Sequence, residues 1–118
     1  MSEEINQDVL GNAKSHFRNA LSAELQSIVV PEWNSTIYFK IASTFQVEKK
    51  ILDLHAKGNM VEALVETLLA KALKADGSRV FTNADKIVLM REVDPDIIIR
   101  VVTAMQEAKE EARSSLGN

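Results

Sequence analysis

Apolar positions recur at helical spacing through most of the chain and alternate strictly in one short stretch. The clearest helical pattern begins at Asn59. Val61, Leu64, Val65, Leu68, Leu69, Ala72 and Leu73 fall within roughly 140° of a helical wheel, with Glu62, Glu66, Lys71 and Lys74 outside it. Asn59 is the expected N-cap, and Glu62, three residues on, completes a capping box. Asp76-Gly77 is the expected stop, because glycine takes the left-handed conformation a helix end needs. Such a face has to be buried, since each Leu or Val on it contributes about 1.5–3 kcal/mol of transfer free energy.

The other elements follow in order. Ser2 to Leu21 reads as an amphipathic helix with Val9, Leu10, Ala13, Phe17, Ala20 and Leu21 on one face and Gly11 off it. Two placements suit it: packed on the domain, which is the expected one, or an arm docked on a neighbouring copy. From Gln26 the pattern changes. Ile28, Val29 and Val30 are β-branched, Pro31-Glu32-Trp33-Asn34-Ser35 interrupts, and Ile37, Phe39 and Ile41 alternate with Thr36, Tyr38 and Lys40. Period two with β-branched and aromatic residues predicts a hairpin with Pro31 at a strand end. Trp33 suits either a plug at the core edge or an aromatic anchor for a partner.

Ser43 with Gln46 predicts the start of a helix whose inner face is Val47, Ile51 and Leu54 and which Lys57-Gly58 closes. Arg79-Val80-Phe81 is short and extended, and Thr82 with Asp85 caps the next helix. That helix carries Ile87-Val88-Leu89-Met90, four consecutive apolar residues that no single helical face covers. They are expected to be buried on two sides or covered by another subunit. Asp94-Pro95 opens the last helix, Asp as N-cap and Pro at the first turn. Its core face is Ile97, Ile98, Val101, Val102 and Met105, continued by Ala108 and Ala112, with Ile99 pointing away.

The expected fold is mainly α: a small helical domain of about five helices with one short β-hairpin near Ser27 to Ile41. Residues 1–24 form an N-terminal amphipathic helix or arm, 25–113 the helical domain, and 114–118 a flexible tail. The 118 residues suit one domain with one modest core.

Composition narrows the chemistry. With 14 basic against 17 acidic residues the net charge is −3, without the basic excess of a general nucleic-acid binder. There is no cysteine, hence no disulfide, thiolate metal site or cysteine nucleophile. The start MSEEINQDVL lacks the form of a signal peptide, and no apolar run has the length of a membrane span. A calcium loop set on Gly77 would need oxygen ligands where Ala72 and Lys74 stand, and a bidentate Glu where Asn83 stands. A helix-turn-helix at Asp94-Pro95 would present Asp96 and an isoleucine block to DNA, where polar and basic groups are needed. His16 and His55 lie on different helices. Glu107, Glu110 and Glu111 alternate with Lys109 and Arg113 as a solvated face. No phosphate loop or nucleophile–base pair appears, so no enzyme, metal or cofactor is expected.

Two segments together carry a family resemblance. One is Val30-Pro31-Glu32-Trp33 followed by Ile37-Tyr38-Phe39-Lys40. The other is the helix ending in Asp76-Gly77, then Arg79-Val80-Phe81-Thr82 and Asp85. In order and spacing, over roughly residues 29–106, the chain resembles the tail assembly chaperones of long-tailed, siphophage-type bacteriophages. The motif residues are Pro31, Glu32, Trp33, Asp76, Gly77, Phe81, Thr82 and Asp85. The resemblance implies a non-enzymatic morphogenesis factor acting in the host bacterial cytoplasm. It implies binding to the tape-measure protein, promotion of tail-tube protein polymerisation, and absence from the mature virion. It also implies a homo-oligomer, with no nucleic acid and no membrane as partner. Trp33, Ile87, Leu89, Met90 and Ile99 are the expected partner or self-association residues. Relatives are commonly made in two lengths by a programmed frameshift, and Leu116-Gly117-Asn118 permits the slippery codings G GGA AAC or G GGA AAT. A structural head–tail connector and a small helical regulatory protein are the alternative readings.

Overall fold

The alternation in residues 26–41 produces a strand pair. The computed structural model describes residues 2–21 and 24–117, with side chains at 8–20 and 24–114. Strands β1 (Gln26–Val30) and β2 (Ser35–Phe39) run antiparallel, with Ile28 opposite Ile37 and Val30 opposite Ser35. Pro31–Trp33 forms a 3-10 turn, and Asn34 takes a left-handed φ of 49°, its N–H donating to the Pro31 carbonyl at 2.9 Å. Pro31 thus ends β1, where its missing amide removes no ladder bond. Val30, Ile37 and Phe39 are buried, as the alternation requires.

Five α-helices complete the described residues: α1 (Ser2–Leu21), α2 (Phe45–Ala56), α3 (Met60–Lys71), α4 (Lys86–Arg91) and α5 (Pro95–Gly117). The last two start as expected. Thr82 and Asp85 form a reciprocal capping box ahead of α4, with the Thr82 N–H donating to Asp85 Oδ2 at 2.8 Å. At α5 the Asp94 carbonyl accepts from Ile97 and Ile98, and its Oδ1 accepts from the Asp96 N–H at 3.0 Å.

Four expectations are corrected. The cap of α2 is Thr44, one residue after Ser43, and its hydroxyl accepts from the Val47 N–H at 3.3 Å. Asn59 does precede α3, but it makes no side-chain cap bond, and Glu62 is drawn to Lys86 at 3.3 Å instead. Helix α3 stops at Lys71, short of Leu73. There the chain turns extended, because the Leu73 backbone exchanges hydrogen bonds with Tyr38 at 2.8 and 2.7 Å. Asp76-Gly77 therefore belongs to a turn beyond the helix. The Gly77 N–H donates to the Lys74 carbonyl at 2.9 Å, Gly77 has φ +88°, and Asp76 Oδ1 accepts from the Ser78 N–H and hydroxyl. Finally, α5 stays helical through Gly117, since no breaker precedes that glycine, so the expected tail from residue 114 starts as helix. The Leu21 side chain, residues 22 and 23 of the expected arm, and Asn118 lie outside the described residues.

Helix α3 is the central element, packing against α2, α4 and α5, while β1 lies on α5. The core joins Val30, Ile37 and Phe39 of the hairpin to Leu68 and Leu69 of α3 and Val101 and Val102 of α5. The expected core face of α5 is buried at every one of its first five positions. Helix α1 differs. Of its described side chains Val9 and Leu10 are exposed, with Phe17 and Ala20 half-buried.

Candidate functional site

Helix α4 presents the apolar block Ile87-Val88-Leu89-Met90. Four consecutive residues at 100° each sweep most of the way round a helix, so one buried face leaves the rest in water. Only Leu89 faces the core, at 4% exposure, while Ile87 is 64% exposed and Val88 and Met90 are also open. Burial on two sides is thus not found. Leu89, one of the expected self-association residues, is buried in the core, where it packs beneath α4 with Ile98 and Val65. Met90 and Ile99, the latter 44% exposed, flank a groove between α3, α4 and α5 that Val61, Leu64 and Pro95 continue. Two of the expected surface residues, Met90 and Ile99, therefore meet at one groove, and a third, Ile87, is exposed on the same short helix as Met90.

The fourth, Trp33, lies elsewhere. It is half-buried and meets Phe81 edge-to-face, with ring centroids 6.3 Å apart and planes at 83°. The two motif segments that carry the resemblance thus converge: the Pro31–Trp33 turn touches the stretch between Gly77 and Thr82. Beside this pair lies a cleft of about 430 Å³ lined by Trp33, Ile37, Lys74, Phe81, Leu89 and Val93. Both of the roles weighed for Trp33 persist, because its ring closes the edge of the core and also walls an open apolar cleft.

Ion pairs tie the elements that frame these surfaces. Arg100 of α5 grips Glu32 with both guanidinium ends, Nη1 donating to Oε2 at 2.8 Å. Those hydrogen bonds hold the Glu32 carboxyl down at about 2 from its ordinary 4.5. Glu66 is nearly buried on α3 and takes Lys86 at 3.0 Å and Lys50 at 3.1 Å, linking α4 and α2. Burial alone raises its pKa, but the hydrogen bonds from Lys86 and Lys50 outweigh it and the net shift is downward. Glu48 behaves likewise: burial opposes, and Lys71 at 2.9 Å and Lys109 at 3.3 Å prevail. The Glu66 and Glu62 partners raise Lys86 in return. Sequence reading missed these pairs, and only a three-dimensional fold brings together residues 68 positions apart, such as Glu32 and Arg100. His55 Nδ1 sits 3.1 Å from Met60 Sδ, and among the described residues no three His, Asp or Glu side chains gather as a metal site. What the arrangement offers chemically is apolar surface held on charged struts.

No protein-family model matches the sequence, and no curated protein matches it. In three dimensions the chain is similar to the tail assembly chaperone of bacteriophage HK97. The TM-score is 0.51 at 14% sequence identity, over 81% of this chain and 91% of that one. At such low identity the likeness establishes the fold. The chain has a phage tail assembly chaperone-like fold, mainly α with one two-stranded hairpin.

Proposed function

We propose that this chain is a bacteriophage tail assembly chaperone: a non-enzymatic factor that binds the tape-measure protein and promotes tail-tube polymerisation in the host cytoplasm, and that leaves before the virion is complete. The shared fold with the HK97 protein carries this reading. The exposed apolar residues of α4 and the adjoining groove support it, because a holder of long helical chains needs apolar surface that it can cover and release. Ile87, Met90, Ile99 and Trp33 supply that surface, and repeated copies along a tape-measure chain would bring them close enough to self-associate.

Co-expression tests the reading. A tape-measure fragment from the same phage should be soluble with this chain and insoluble without it, and purified virions should lack the chain. A fragment that stays insoluble overturns the tape-measure role. Finding the chain in stoichiometric amount in virions turns the reading into that of a structural connector.

A further inference from the structure

One edge of β2 is paired for a single residue and then left open. Tyr38 gives both its main-chain groups to Leu73, at 2.8 and 2.7 Å, on the side away from β1. Its pair with Ser27 across the hairpin is therefore a non-hydrogen-bonded one. The two kinds of pair alternate along an antiparallel ladder, so Thr36 and Val29, one step of that alternation on, form a non-hydrogen-bonded pair as well. The Thr36 N–H and carbonyl thus point out of the hairpin on the same side as those of Tyr38. Ala75 is the residue that the Tyr38–Leu73 register would set opposite Thr36, but it lies in a turn. That turn closes on itself: the Lys74 N–H donates to the Ser78 carbonyl at 2.7 Å, and the Lys74 carbonyl accepts from Gly77 at 2.9 Å. Thr36 is exposed and receives no main-chain bond from it.

The apolar cleft of about 430 Å³ lies along this open stretch. Thr36 and Ile37 line it together with Trp33, Phe81, Val93 and Lys74. Free main-chain groups beside an apolar wall are what a sheet edge needs to take up an extended peptide. The main chain pairs with the edge, and alternate side chains of the peptide enter the cleft. A helix bonds its own main-chain groups internally and would leave Thr36 unpaired, so the edge selects an extended occupant.

Charge specifies one position of that occupant. Among the described residues Lys74 forms no ion pair, and it is exposed. Asp76, two residues on, feels its charge, but that carboxylate is bonded to the Ser78 N–H and hydroxyl at 2.9 and 2.6 Å. An unpaired cation at the mouth of an apolar cleft calls for an acid on the partner.

We propose that the β2 edge at Thr36 is a strand-addition site. It takes an extended segment of another protein, with alternating apolar residues in the Trp33–Phe81 cleft and an acidic side chain on Lys74. The inference goes beyond the chaperone reading and does not rest on tape-measure binding.

Trp33 is the sole tryptophan and walls the cleft, so its emission reports the site in the full chain. Amide exchange followed by NMR comes first. In the free chain Thr36 should exchange at least about tenfold faster than Tyr38, whose N–H is bonded to Leu73. A Thr36 amide as protected as that of Tyr38 overturns the proposal, since the chain or a second copy then already fills the edge. Octapeptides selected on the full chain from a random displayed library are the probes. Those that shift Trp33 emission should alternate apolar residues, carry Asp or Glu at one end, and slow Thr36 exchange. Methylating every second main-chain nitrogen of such a peptide should abolish binding in one register and spare it in the other. Lys74→Glu should weaken binding about tenfold or more, and replacing the peptide's acid by lysine should restore it, which separates charge from misfolding. The proposal fails if no peptide shifts the emission, if those that do show helical i, i+3, i+4 spacing, or if both methylation registers lose binding equally. It fails too if Lys74→Glu binds as wild type does, or if the lysine peptide restores nothing. No tape-measure protein enters these experiments, so their failure leaves the co-expression result standing by itself.

Discussion

The blocks Ile97-Ile98-Ile99 of α5 and Ile87-Val88-Leu89-Met90 of α4 are alike in composition, yet α5 buries two of its three residues and α4 one of its four. The difference lies in what each helix has to lie against. Helix α5 has 23 residues, runs along α3 and β1, and repeats its apolar pairs at 97–98 and 101–102 with Met105 following. Helix α4 has 6 residues and meets chiefly α3, so it offers the core a single side chain. Apolar content therefore does not by itself decide burial. A short helix hung on the core by one leucine leaves its remaining apolar residues available to another molecule.

Several substitutions would break or sharpen this contrast. The largest effect is expected inside the region that α5 and α3 share. Leu68→Ala, at a fully buried position, should cost about 3 kcal/mol, read as a lower urea midpoint with an unchanged slope. A loss under about 1 kcal/mol would show that α3 is not the central packing element. Within α4 the contrast sharpens to neighbours two residues apart. Leu89→Ala should cost about 2 kcal/mol and Ile87→Ala less than about 0.5 kcal/mol. Equal losses at the two positions would mean that α4 is rotated from its described placement.

The cap that starts α4 comes next. Thr82→Ala should cost about 1 kcal/mol. The loss should appear in hydrogen exchange as faster opening of α4 than of α5; uniform loss across both helices would contradict the picture of a short helix held mainly at its end.

Smallest is the acid response of the struts. Glu32, Glu48 and Glu66 all have lowered pKa values in the fold. Groups depressed in this way stabilise the fold above the unfolded value near 4.5, and that contribution is lost as pH falls toward the folded values, about 2 for Glu32. Thermal midpoints should therefore drop from pH 5 to pH 2.5 and stay level between pH 6 and 8. Glu66→Gln should shrink the drop while costing about 1 kcal/mol or less at neutral pH, since Lys50 is largely solvated and Lys86 keeps Glu62 as a partner. A midpoint that falls above pH 6 instead would contradict the acid response of these struts.

Much of the fold was legible in the sequence because its signals are local. Period two in residues 26–41 and a Pro-containing turn specify the hairpin and the faces of Ile37 and Phe39. Helical spacing specifies the core face of α5 and sends Ile99 to the other side. Thr82 with Asp85, and Asp94 before Pro95, are self-contained caps whose partners lie within three residues. The candidate surface was legible in part: Ile87, Met90 and Ile99 were identifiable as apolar positions in excess of one helix face.

The tertiary structure decided the rest, wherever a group had two satisfactory partners. Glu62 can close a capping box or meet Lys86, and the approach of α4 selects the lysine. Leu73 can continue a helix or pair with a strand, and Tyr38 alongside selects the strand. Leu89 and Ile87 carry equal claims to burial in sequence, and the position of α3 buries the first. Arg100 finds Glu32, and Trp33 finds Phe81, only because the hairpin folds onto α5 and the 79–82 stretch. Periodicity fixes which residues share a face of their own element, but which face meets which depends on contacts between residues far apart in the chain, and no local pattern encodes those.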